Sequence, residues 1–588
     1  MNNPLSLTSL HPLARYAINS LTRLNTLSAW YDEWLASIQT PPRLISVEGH
    51  GFLNFVLGKL NADVLVSNQA QLDQIPADGP LLVVANHPLG AMEGMLLSRL
   101  LLRYRPDLKV LTNELLLTFP EFNDLFIGVD VLNSNAQAKN MKGMRAANRH
   151  LSSGGALLVF PAGTVSQLQL PGGTIEDSVW SPMVGRLALK HGATCLPFHI
   201  DGRNSLLFYL AGLIHKRLRT ALLPRAMLGK QGTRLRITAG AVIGKETLQE
   251  LGSASCVTQY LRVSCDLLKG SEGAPSTPQA VEDTADTIRP ENIQAQFERL
   301  QGFLVVQRGD FSVYCMPYDA LGCIADLLAR EREITFRHAG EGTGKTLDRD
   351  RFDSYYSHVV AWDHGKQKLI GGYRVVRTDH AIRGRGLEGL YSHSQFRFGR
   401  QFLEMMGPSI EVGRSFITAP YQRDTRALDL LWKGIGAFVQ RNSDCHTLFG
   451  CVSISARYSP LARTLLADTM LHNHVVGEQM RLLVRPAVPK NTLSRTWDKE
   501  LLLAFGNVAI FNKLLGSQSM DRRVPTLIRH YLAMNGKFVE FSVNNDFNKS
   551  LDGLIVVDLR NSPVRYLQRY LGKESAERFQ SRWRDQSC

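Results

Sequence analysis

A histidine and a glutamate in the N-terminal part of the chain have the spacing of a proton-transfer pair. They lie in the stretch NHPLGAMEG at residues 86–94, directly after the apolar run Leu81–Ala85, which predicts a buried strand. Pro88 disfavours helix at the residue before it, so we expect the imidazole of His87 in a turn and Glu93 in the helix that follows. A carboxylate one helical turn further on can hold one ring nitrogen and raise the basicity of the other. The pattern therefore predicts His87 as a general base for an acceptor hydroxyl.

Two further blocks follow this pair, each at the end of a predicted strand. They are FPAGTVS at residues 160–166 and LPFHIDGRN at residues 196–204. Taken alone, His87 and Glu93 would fit a loop histidine that caps a helix beside a solvated carboxylate. The three blocks in this order, however, resemble the lysophospholipid and glycerolphosphate acyltransferase superfamily over roughly residues 50–268.

The resemblance implies a role for each matched residue. In that superfamily the histidine is the general base, the acid orients it, and the second block holds the acceptor. By the match, His87 is the base and Glu93 orients it. Gly163 and Thr164 belong to the acceptor pocket, and Arg203 of the third block is a further substrate-binding residue.

The second block departs from the superfamily pattern at two positions. Ala162 and Val165 stand where the superfamily carries Glu and Arg. The planar fork of an arginine binds phosphate oxygens in pairs, so its absence leaves the pocket poorly suited to a phosphate monoester. We therefore expect a phosphorus-free lysolipid as the acceptor.

The C-terminal half carries acids and arginines at predicted strand and helix positions. Such groups are costly to bury unless they meet one another, which predicts a shared internal ion cluster. A surface network without a catalytic role would use the same residue types. The acids and arginines are Glu331, Arg332, Glu333, Asp348, Asp350, Asp353, Asp363, Arg374, Glu411 and Arg414.

This arrangement resembles the GNAT-like enzymes that use acyl carrier protein, namely N-acyl-homoserine-lactone synthases and ornithine N-acyltransferases, over about residues 300–470. The residues carried over by the resemblance are Arg332, Asp350, Asp353, Arg374, Glu411 and Arg414. The resemblance implies that Glu411 activates the attacking amine, directly or through water, and that the other five residues bind substrate. The glycine-rich pyrophosphate loop of ordinary GNAT enzymes is absent, and YQRDTR stands at residues 421–426 instead. Without those glycines the backbone cannot approach a pyrophosphate closely, which disfavours free coenzyme A. Arg423, Arg426 and Lys433 are candidates to meet an acidic carrier protein.

The pattern of apolar runs predicts α/β structure in both halves, and the resemblances imply an N-terminal glycerolphosphate-acyltransferase-like α/β domain and a C-terminal GNAT-like α/β domain. Strands alternate with helical patterns in both halves, with strands expected over Leu81–Ala85 and Thr194–Ile200 and a helix over Asp319–Arg332. The segment KGSEGAPSTPQAVEDTADTI is too poor in large apolar residues to bury a face, which predicts a linker. The expected limits are 1–268 for the first domain, 269–288 for the linker and 289–588 for the second domain.

Net charge, apolar runs and cysteine spacing limit the classes of function that the chain can have. The chain has 588 residues and a net charge of +14, which suits anionic lipids, nucleic acid or an acidic carrier. No 18 apolar residues run together, the first residues do not resemble a secretory signal, and the eight cysteines lack metal-site spacing. We expect a cytoplasmic protein on the inner face of the cytoplasmic membrane. We expect no metal, no nucleic-acid partner and no cofactor, with acyl-acyl carrier protein thioesters as donor substrates.

The two halves together resemble the bifunctional ornithine lipid synthases. The resemblance implies that the C-terminal domain transfers a 3-hydroxyacyl group from acyl carrier protein to ornithine, and that the N-terminal domain then acylates the 3-hydroxyl. Two alternatives stay open. One is a lysophospholipid acyltransferase fused to an N-acyltransferase for another amine. The other is a membrane-binding protein whose C-terminal half only recruits acyl carrier protein.

Overall fold

The computed structural model describes residues 3–5, 11–39, 51–129, 137–170, 173–270, 290–490, 497–516 and 523–584. The predicted linker, 269–288, lies outside these ranges except for its first two residues. None of the helices within the described ranges is long and apolar enough to cross a bilayer.

The chain divides into two compact units. The first holds the described residues up to 270 together with Trp497–Ala504 and residues 512–516, and the second holds the remainder. Within the first unit, Ser253 donates to Glu500 at 2.9 Å and Gln259 to Asp498 at 2.8 Å. The sequence pattern does not separate these late segments from the C-terminal domain, whose predicted limits stay a prediction.

The first half of the chain alternates strands and helices, as its apolar pattern predicts. Its strands are β1 (Asp63–Ser67), β2 (Leu81–Ala85), β3 (Lys109–Asn113), β4 (Phe126–Val129), β5 (Ala156–Val159), β6 (Gln167–Gln169), β7 (Thr174–Glu176), β8 (Thr194–Ile200) and β9 (Arg234–Ala239). Its helices are α1 (Pro12–Thr22), α2 (Leu24–Gln39), α3 (Gly51–Leu60), α4 (Ala91–Leu101), α5 (Gln137–Ser152), α6 (Met183–His191), α7 (Leu206–Ile214), α8 (Lys216–Ala221), α9 (Leu223–Leu228), α10 (Lys245–Glu250) and α11 (Ala254–Leu267).

Seven of these strands form one mixed sheet in the order β1-β9-β8-β2-β5-β3-β4. The central strands β8, β2 and β5 run parallel, while β9 is antiparallel to β8. Every residue of β2 is buried, as expected for a strand covered on both faces. Because the carboxyl ends of parallel strands meet at one edge, the three sequence blocks that follow β2, β5 and β8 lie together there.

The second half contains more strands and more antiparallel pairing. Its strands are β10 (Leu304–Arg308), β11 (Phe311–Pro317), β12 (Ser357–Asp363), β13 (Lys368–Arg377), β14 (Phe396–Phe398), β15 (Ser409–Ile417), β16 (Thr447–Ile454), β17 (Val484–Pro486), β18 (Lys537–Asn544) and β19 (Ser550–Asp558). Its helices are α12 (Pro290–Arg299), α13 (Ile324–Ala339), α14 (Thr378–Ile382), α15 (Tyr391–Gln395), α16 (Arg400–Met406), α17 (Thr425–Arg441), α18 (Pro460–Asn473), α19 (Glu478–Leu482), α20 (Lys499–Ala504), α21 (Val508–Gly516), α22 (Thr526–Ala533), α23 (Val564–Leu571) and α24 (Lys573–Arg584).

Eight strands of this half form a sheet in the order β10-β11-β12-β13-β15-β16-β19-β18. All neighbours are antiparallel except β15 and β16. These two parallel strands pair only from Ser409–Glu411 to Thr447–Phe449, although both continue beyond this point. The sheet therefore opens between β15 and β16 directly after Glu411. The predicted fold class, α/β in both halves, is confirmed.

Candidate active sites

His87 and Glu93 lie together, as their spacing predicts. Nδ1 of His87 is 3.0 Å from Oε1 of Glu93. Glu93 is fully buried, whereas 18% of the His87 side chain is accessible. A buried carboxylate at Nδ1 favours the tautomer that carries its proton there, which leaves the lone pair of Nε2 free to accept a proton.

The backbone holds the Glu93 carboxylate in place. Oε1 accepts hydrogen bonds from the amides of Leu89 at 2.8 Å and Gly90 at 2.7 Å. Gly90 has a φ of +113°, and a Cβ there would lie 2.7 Å from a methyl group of Leu223. Glycine is therefore required for the turn that aims both amides at the acid. Within the described part of the chain, Oε2 has no hydrogen-bond partner.

The loop after β5 also contacts His87, through its backbone and its ring. The backbone amide of Ser166 donates to the carbonyl of His87 at 2.8 Å, and its hydroxyl oxygen lies 3.1 Å from the same carbonyl oxygen. Asp177 accepts from the Ser166 hydroxyl at 2.5 Å and from the His87 amide at 3.2 Å. The ring of Phe160 lies 4.5 Å from the imidazole, tilted by 31°. The imidazole is thus fixed by contacts from two loops.

Val165 points into an apolar cluster beside this loop. It is buried with Phe208, Tyr209 and Leu222. A Cβ added at Gly90 would lie 3.5 Å from its Cγ2, so the cluster adjoins the turn that holds Glu93. The position where the superfamily carries a phosphate-binding arginine is therefore part of an apolar wall. We call these four buried residues the acceptor cluster.

The other predicted acceptor residues lie near this loop but make few side-chain contacts. Gly163 has a φ of +67° and donates to the carbonyl of Phe160 at 3.0 Å, which closes the turn after β5. Thr164 Oγ1 lies 3.2 Å from Ser178 Oγ. Arg203 is exposed, and its side chain forms no hydrogen bond or ion pair among the described residues. Its predicted role in binding substrate stays a prediction.

In the second unit, the predicted ion cluster is present and buried. Glu411, which was expected to belong to it, forms no ion pair among the described residues and accepts hydrogen bonds from Tyr356 and two backbone amides instead. Arg374 Nη1 donates to Asp350 at 2.6 Å and to Asp353 at 3.0 Å. Arg332 Nη2 donates to the other oxygen of Asp353 at 3.0 Å. Arg414 Nη2 donates to the second oxygen of Asp350 at 3.1 Å. Three arginines are therefore cross-linked through two aspartates.

A third aspartate and three aromatic rings complete the cluster. Asp348 lies 2.8 Å from Arg332 and 3.6 Å from Arg414, which gives three arginines and three acids. The guanidinium of Arg374 is 4.9 Å from the ring centroid of Tyr356, and the rings of Phe352 and Tyr391 lie at 5.5 and 5.4 Å. Buried charges are tolerated here because each one is paired.

Glu411 is buried at the point where the sheet opens. Its Oε1 accepts from the amide of Ser392 at 2.6 Å, and its Oε2 accepts from the amide of Tyr391 at 3.1 Å and from the hydroxyl of Tyr356. A carboxylate has about four acceptor positions, and these three donors occupy three of them. The hydroxyl of Ser392 is a further donor beside this carboxylate.

A backbone irregularity lies three residues further along the same strand. Arg414 has a φ of +50°, and the register of β13 against β15 shifts between Gly372 and Arg374. Positive φ at a non-glycine residue is uncommon, and a bulge re-aims the side chains that follow it. This bulge directs the Arg414 side chain to Asp350 beside the opening.

Two family models match the chain. One, described as acyltransferase, matches residues 55–275, and the other, described as acetyltransferase (GNAT) domain, matches residues 332–433. The chain joins an acyltransferase domain to a GNAT domain. The acyltransferase domain contains the His87 site and the GNAT domain contains most of the ion cluster.

Relatives of known activity are similar to both parts. The glycine N(alpha)-acyltransferase of Bacteroides thetaiotaomicron is 26% identical over 313 residues, which is 50% of this chain and 91% of that protein. The L-ornithine N(alpha)-acyltransferase of Brucella abortus is 26% identical over 40% of this chain and 76% of that protein. The lyso-glycine lipid O-acyltransferase of Phocaeicola vulgatus is 30% identical over 29% of this chain and 58% of that protein. This combination fits the fused ornithine lipid synthases that the sequence resembles.

Burial and charge shift the pKa values of several acids in the GNAT domain. Burial raises the pKa of Glu411, because its hydrogen bonds and the nearby Arg374 compensate only part of the lost hydration. Burial acts the same way on Asp353, but Arg374 and Arg332 outweigh it and hold the pKa of that acid far below its ordinary value. Glu411 is thus the more basic of the two carboxylates.

Two of the three cations predicted to contact a carrier protein already form ion pairs within the domain. Arg426 forms an ion pair with Asp424 at 2.7 Å, and Lys433 pairs with Asp429 at 3.1 Å. Arg423 is exposed and free of such a pair among the described residues. Their contact with a carrier protein stays a prediction.

Sequence reasoning missed several residues of both sites. In the acyltransferase domain, Ser166 ends the second sequence block and Asp177 lies outside all three blocks, and the hydrogen bonds of both residues to the His87 backbone were not foreseen. In the GNAT domain, the bond from Tyr356 to Glu411 was not foreseen. Tyr356 lies in the segment TLDRDRFDSYY, whose tyrosines beside the acids are the signal that was available. Within the described ranges, no three His, Cys, Asp or Glu side chains are placed to hold a metal ion.

Proposed function

We propose that the chain synthesises a phosphorus-free, doubly acylated amino-acid lipid. The GNAT domain N-acylates ornithine with a 3-hydroxyacyl group from acyl carrier protein, and the acyltransferase domain O-acylates the product. The observation that carries the proposal is that one chain is similar both to amino-acid N-acyltransferases and to a lysolipid O-acyltransferase.

In the O-acylation step, His87 acts on the 3-hydroxyl of the lysolipid. Its Nε2 takes the hydroxyl proton as the oxygen attacks the carbonyl carbon of the acyl thioester. Collapse of the tetrahedral intermediate forms the ester and breaks the carbon–sulfur bond, and the departing thiolate takes the proton back from the imidazole. Glu93 stabilises the imidazolium that exists between the two transfers.

In the N-acylation step, the neutral α-amine attacks the thioester carbonyl at the opening between β15 and β16. Glu411 receives the amine proton, directly or through water. An amide forms as the carbon–sulfur bond breaks, and the departing thiolate of the carrier takes this proton from Glu411. The raised pKa of Glu411 supports this assignment, since a more basic carboxylate is a better proton acceptor.

Glycine is a second candidate for the amine. The glycine N(alpha)-acyltransferase of B. thetaiotaomicron matches this chain over a larger share of its own length than the ornithine enzyme does. We retain ornithine because the sequence motifs resemble the ornithine enzymes. Purified protein given 3-hydroxyacyl-acyl carrier protein and either amino acid distinguishes the two by their kcat/KM values.

Helix α7 supports action at a membrane surface. Leu206, Leu207, Leu210, Leu213 and Ile214 are all exposed, from 47% to 79%. The segment 203–236, which contains this helix, carries eight Lys or Arg and no acid. Exposed leucines flanked by cations suit insertion among anionic headgroups. We propose that this face contacts the bilayer in which the lysolipid lies.

Replacing Leu207 and Leu210 by Asp tests this face. Each leucine contributes about 1.5–3 kcal/mol when buried in an apolar environment, so the double variant is expected to lose more than tenfold in affinity for phosphatidylglycerol vesicles. Cosedimentation measures the loss. Met141→Glu is the matched control, because Met141 is similarly exposed on α5 outside this face. Equal binding by all three proteins would remove α7 from the membrane contact.

Lipid mass spectrometry of a bacterial host that expresses the chain tests the whole proposal. The expected result is a new phosphorus-free lipid with one amide-linked and one ester-linked acyl chain, and fragmentation identifies its amino acid. A change confined to phospholipids would instead favour a lysophospholipid acyltransferase. Loss of the ester-linked chain alone in a His87→Ala strain would assign the second step to the acyltransferase domain.

A further inference from the structure

Arg219 on α8 is a buried cation without an acidic partner. It is 7% exposed, and Nη1 donates to the neutral amide oxygen of Gln167 at 3.2 Å. It forms no ion pair with any acid among the described residues. Burial lowers the pKa of Arg219, and the hydroxyl of Tyr209 offsets this only in part. A guanidinium that loses hydration without gaining a counter-ion is expected to bind an anion from outside the protein.

Arg219 lies beside the predicted acceptor site. Its partner Gln167 directly follows Ser166, whose backbone amide donates to the carbonyl of His87. A Cβ added at Gly212 on α7 would lie 3.0 Å from its Cδ, so the side chain runs along the helix that supplies Phe208 and Tyr209 to the acceptor cluster. The guanidinium is thus next to the apolar wall that adjoins the histidine.

We infer that Arg219 binds the free carboxylate of an N-acyl amino acid while the 3-hydroxyl of the same molecule lies at His87. The inference rests on the proposed function and names the headgroup that the acyltransferase domain recognises. In such a lipid, the carbon that bears the hydroxyl and the carboxylate carbon are separated by about two residue lengths of extended chain, roughly 7 Å. Ser166 contacts the backbone carbonyl of His87 and the next residue, Gln167, contacts Arg219, so the inference requires the imidazole and the guanidinium to lie about this far apart.

The surroundings favour a carboxylate over a phosphate monoester. A phosphate monoester carries nearly two negative charges and three acceptor oxygens at neutral pH. Here one buried guanidinium, that of Arg219, lies beside the apolar cluster, Val165 stands where a second cation would be expected, and Arg203, which also lies near Tyr209, is exposed to solvent. One arginine can pair with both oxygens of one carboxylate and neutralise its single charge.

The experiment compares three acceptors with full-length wild-type protein and Arg219→Met. The acceptors are an N-(3-hydroxyacyl) amino acid, its primary carboxamide and lysophosphatidate, each with the same acyl thioester donor. For the wild type, changing the acid to the amide is expected to raise KM at least tenfold with little change in kcat. For Arg219→Met, KM for the acid is expected to rise by a similar factor, and the preference for acid over amide disappears.

A control and a conservative variant complete the set. Arg186→Gln removes an exposed arginine on α6 and is expected to keep the wild-type preference. Arg219→Lys retains the charge and is expected to restore part of the selectivity for the acid. Because Arg219 has no structural counter-ion, Arg219→Met is expected to unfold at the same temperature as wild type or higher. A structural role for Arg219 would instead lower the unfolding temperature and reduce turnover of acid and amide equally.

The outcomes separate this inference from the proposed function. Acylation of the N-acyl amino acid by wild type without any acid-over-amide preference overturns the role of Arg219 but leaves the proposed function standing. Preference for lysophosphatidate that depends on Arg219 makes the site a phosphate site and overturns both. Failure of wild type to acylate any N-acyl amino acid also overturns both.

Discussion

At the scale of the single residue, each candidate site contains a carboxylate whose oxygens already accept hydrogen bonds from the protein before substrate binds. Glu93 has one oxygen shared by two backbone amides and His87, and Glu411 has three protein donors. These hydrogen bonds hold each carboxylate in position, so it does not have to reorganise during the reaction. The two acids differ in what they contact. Glu93 contacts an imidazole, whereas Glu411 contacts a tyrosine hydroxyl and two backbone amides.

Replacing His87 by Ala is expected to abolish O-acylation while the N-acylated intermediate accumulates. Loss of a positioned general base reduces the rate of that step by about 10²–10⁴-fold. Purified protein with a supplied N-(3-hydroxyacyl) amino acid and an acyl thioester measures the step alone. Glu93→Gln is expected to show a milder loss, because the imidazole remains but its tautomer is less firmly held. Near-normal ester formation by His87→Ala would exclude His87 as the base.

Replacing Glu411 by Gln is expected to stop N-acylation and leave O-acylation intact. The amide keeps the shape but removes the charge, and its NH₂ faces at least one of three hydrogen-bond donors, which adds a stability loss of about 1–3 kcal/mol. Tyr356→Phe is the matched control, since it removes one of those donors and keeps the carboxylate. If both variants lose N-acylation only in proportion to their stability, Glu411 belongs to the structure and not to the chemistry.

At the scale of the element, the opening between β15 and β16 depends on a close approach of the two strands just before they separate. A Cβ added at Gly450 on β16 would lie 2.0 Å from the carbonyl oxygen of Val412 on β15. Glycine therefore allows the strands to touch next to Glu411, after which the bulge at Arg414 turns the second half of β15 away.

Gly450→Ala is expected to disturb this junction. Overpacking of this kind typically costs about 1–3 kcal/mol and displaces the backbone, so N-acylation should fall together with the stability of the GNAT domain. Gly413→Ala is the control, because a Cβ at Gly413 meets nothing within 4 Å. Denaturant unfolding and the N-acylation assay measure both effects. A fully active Gly450→Ala protein would show that the junction has room to relax.

At the scale of the whole molecule, buried titratable groups make the stability of the GNAT domain depend on pH. Burial lowers the pKa of His358 to about 4, and the carbonyl of Asp353 is bonded to its Nε2 at 3.0 Å. Since the unfolded chain takes up this proton near pH 6.5, the neutral histidine contributes stability that is lost as the pH falls from about 6.5 to about 4. Asp350 and Asp353, with lowered pKa values, extend the loss to lower pH.

His358→Gln is expected to flatten this dependence. Between pH 7 and pH 5 the wild-type domain should lose about 2 kcal/mol of stability through His358, and the variant should lose little of that amount. Hydrogen exchange of peptides from β11 and β12, followed by mass spectrometry at both pH values, reports the change. His380→Gln, at an exposed position on α14, should behave as wild type. An unchanged pH dependence in His358→Gln would place its origin elsewhere.

The local pattern of apolar residues was sufficient to predict the strands that precede the motifs. Leu81–Ala85 and Thr194–Ile200 form strands with the predicted bounds, because short runs of apolar residues are buried as such in a sheet covered on both faces. The helix expected over Asp319–Arg332 instead runs from Ile324 to Ala339. Gly322, with a φ of +53°, ends a separate short turn before it. An isolated glycine near a helical pattern does not reveal on which side the helix lies.

The sequence by itself determined the two domain types, the contact of His87 with Glu93 and the pairing of arginines with aspartates in the ion cluster. Those features follow from spacing within one turn, or from the rule that buried charges must pair. Only the tertiary structure decided that Asp177 and Ser166 hold His87, that Tyr356 and not an arginine contacts Glu411, and that Arg219 is buried with no counter-ion among the described residues. These contacts join residues from 11 to 90 positions apart in the chain or depend on the absence of any neighbour, and neither is encoded in a local pattern.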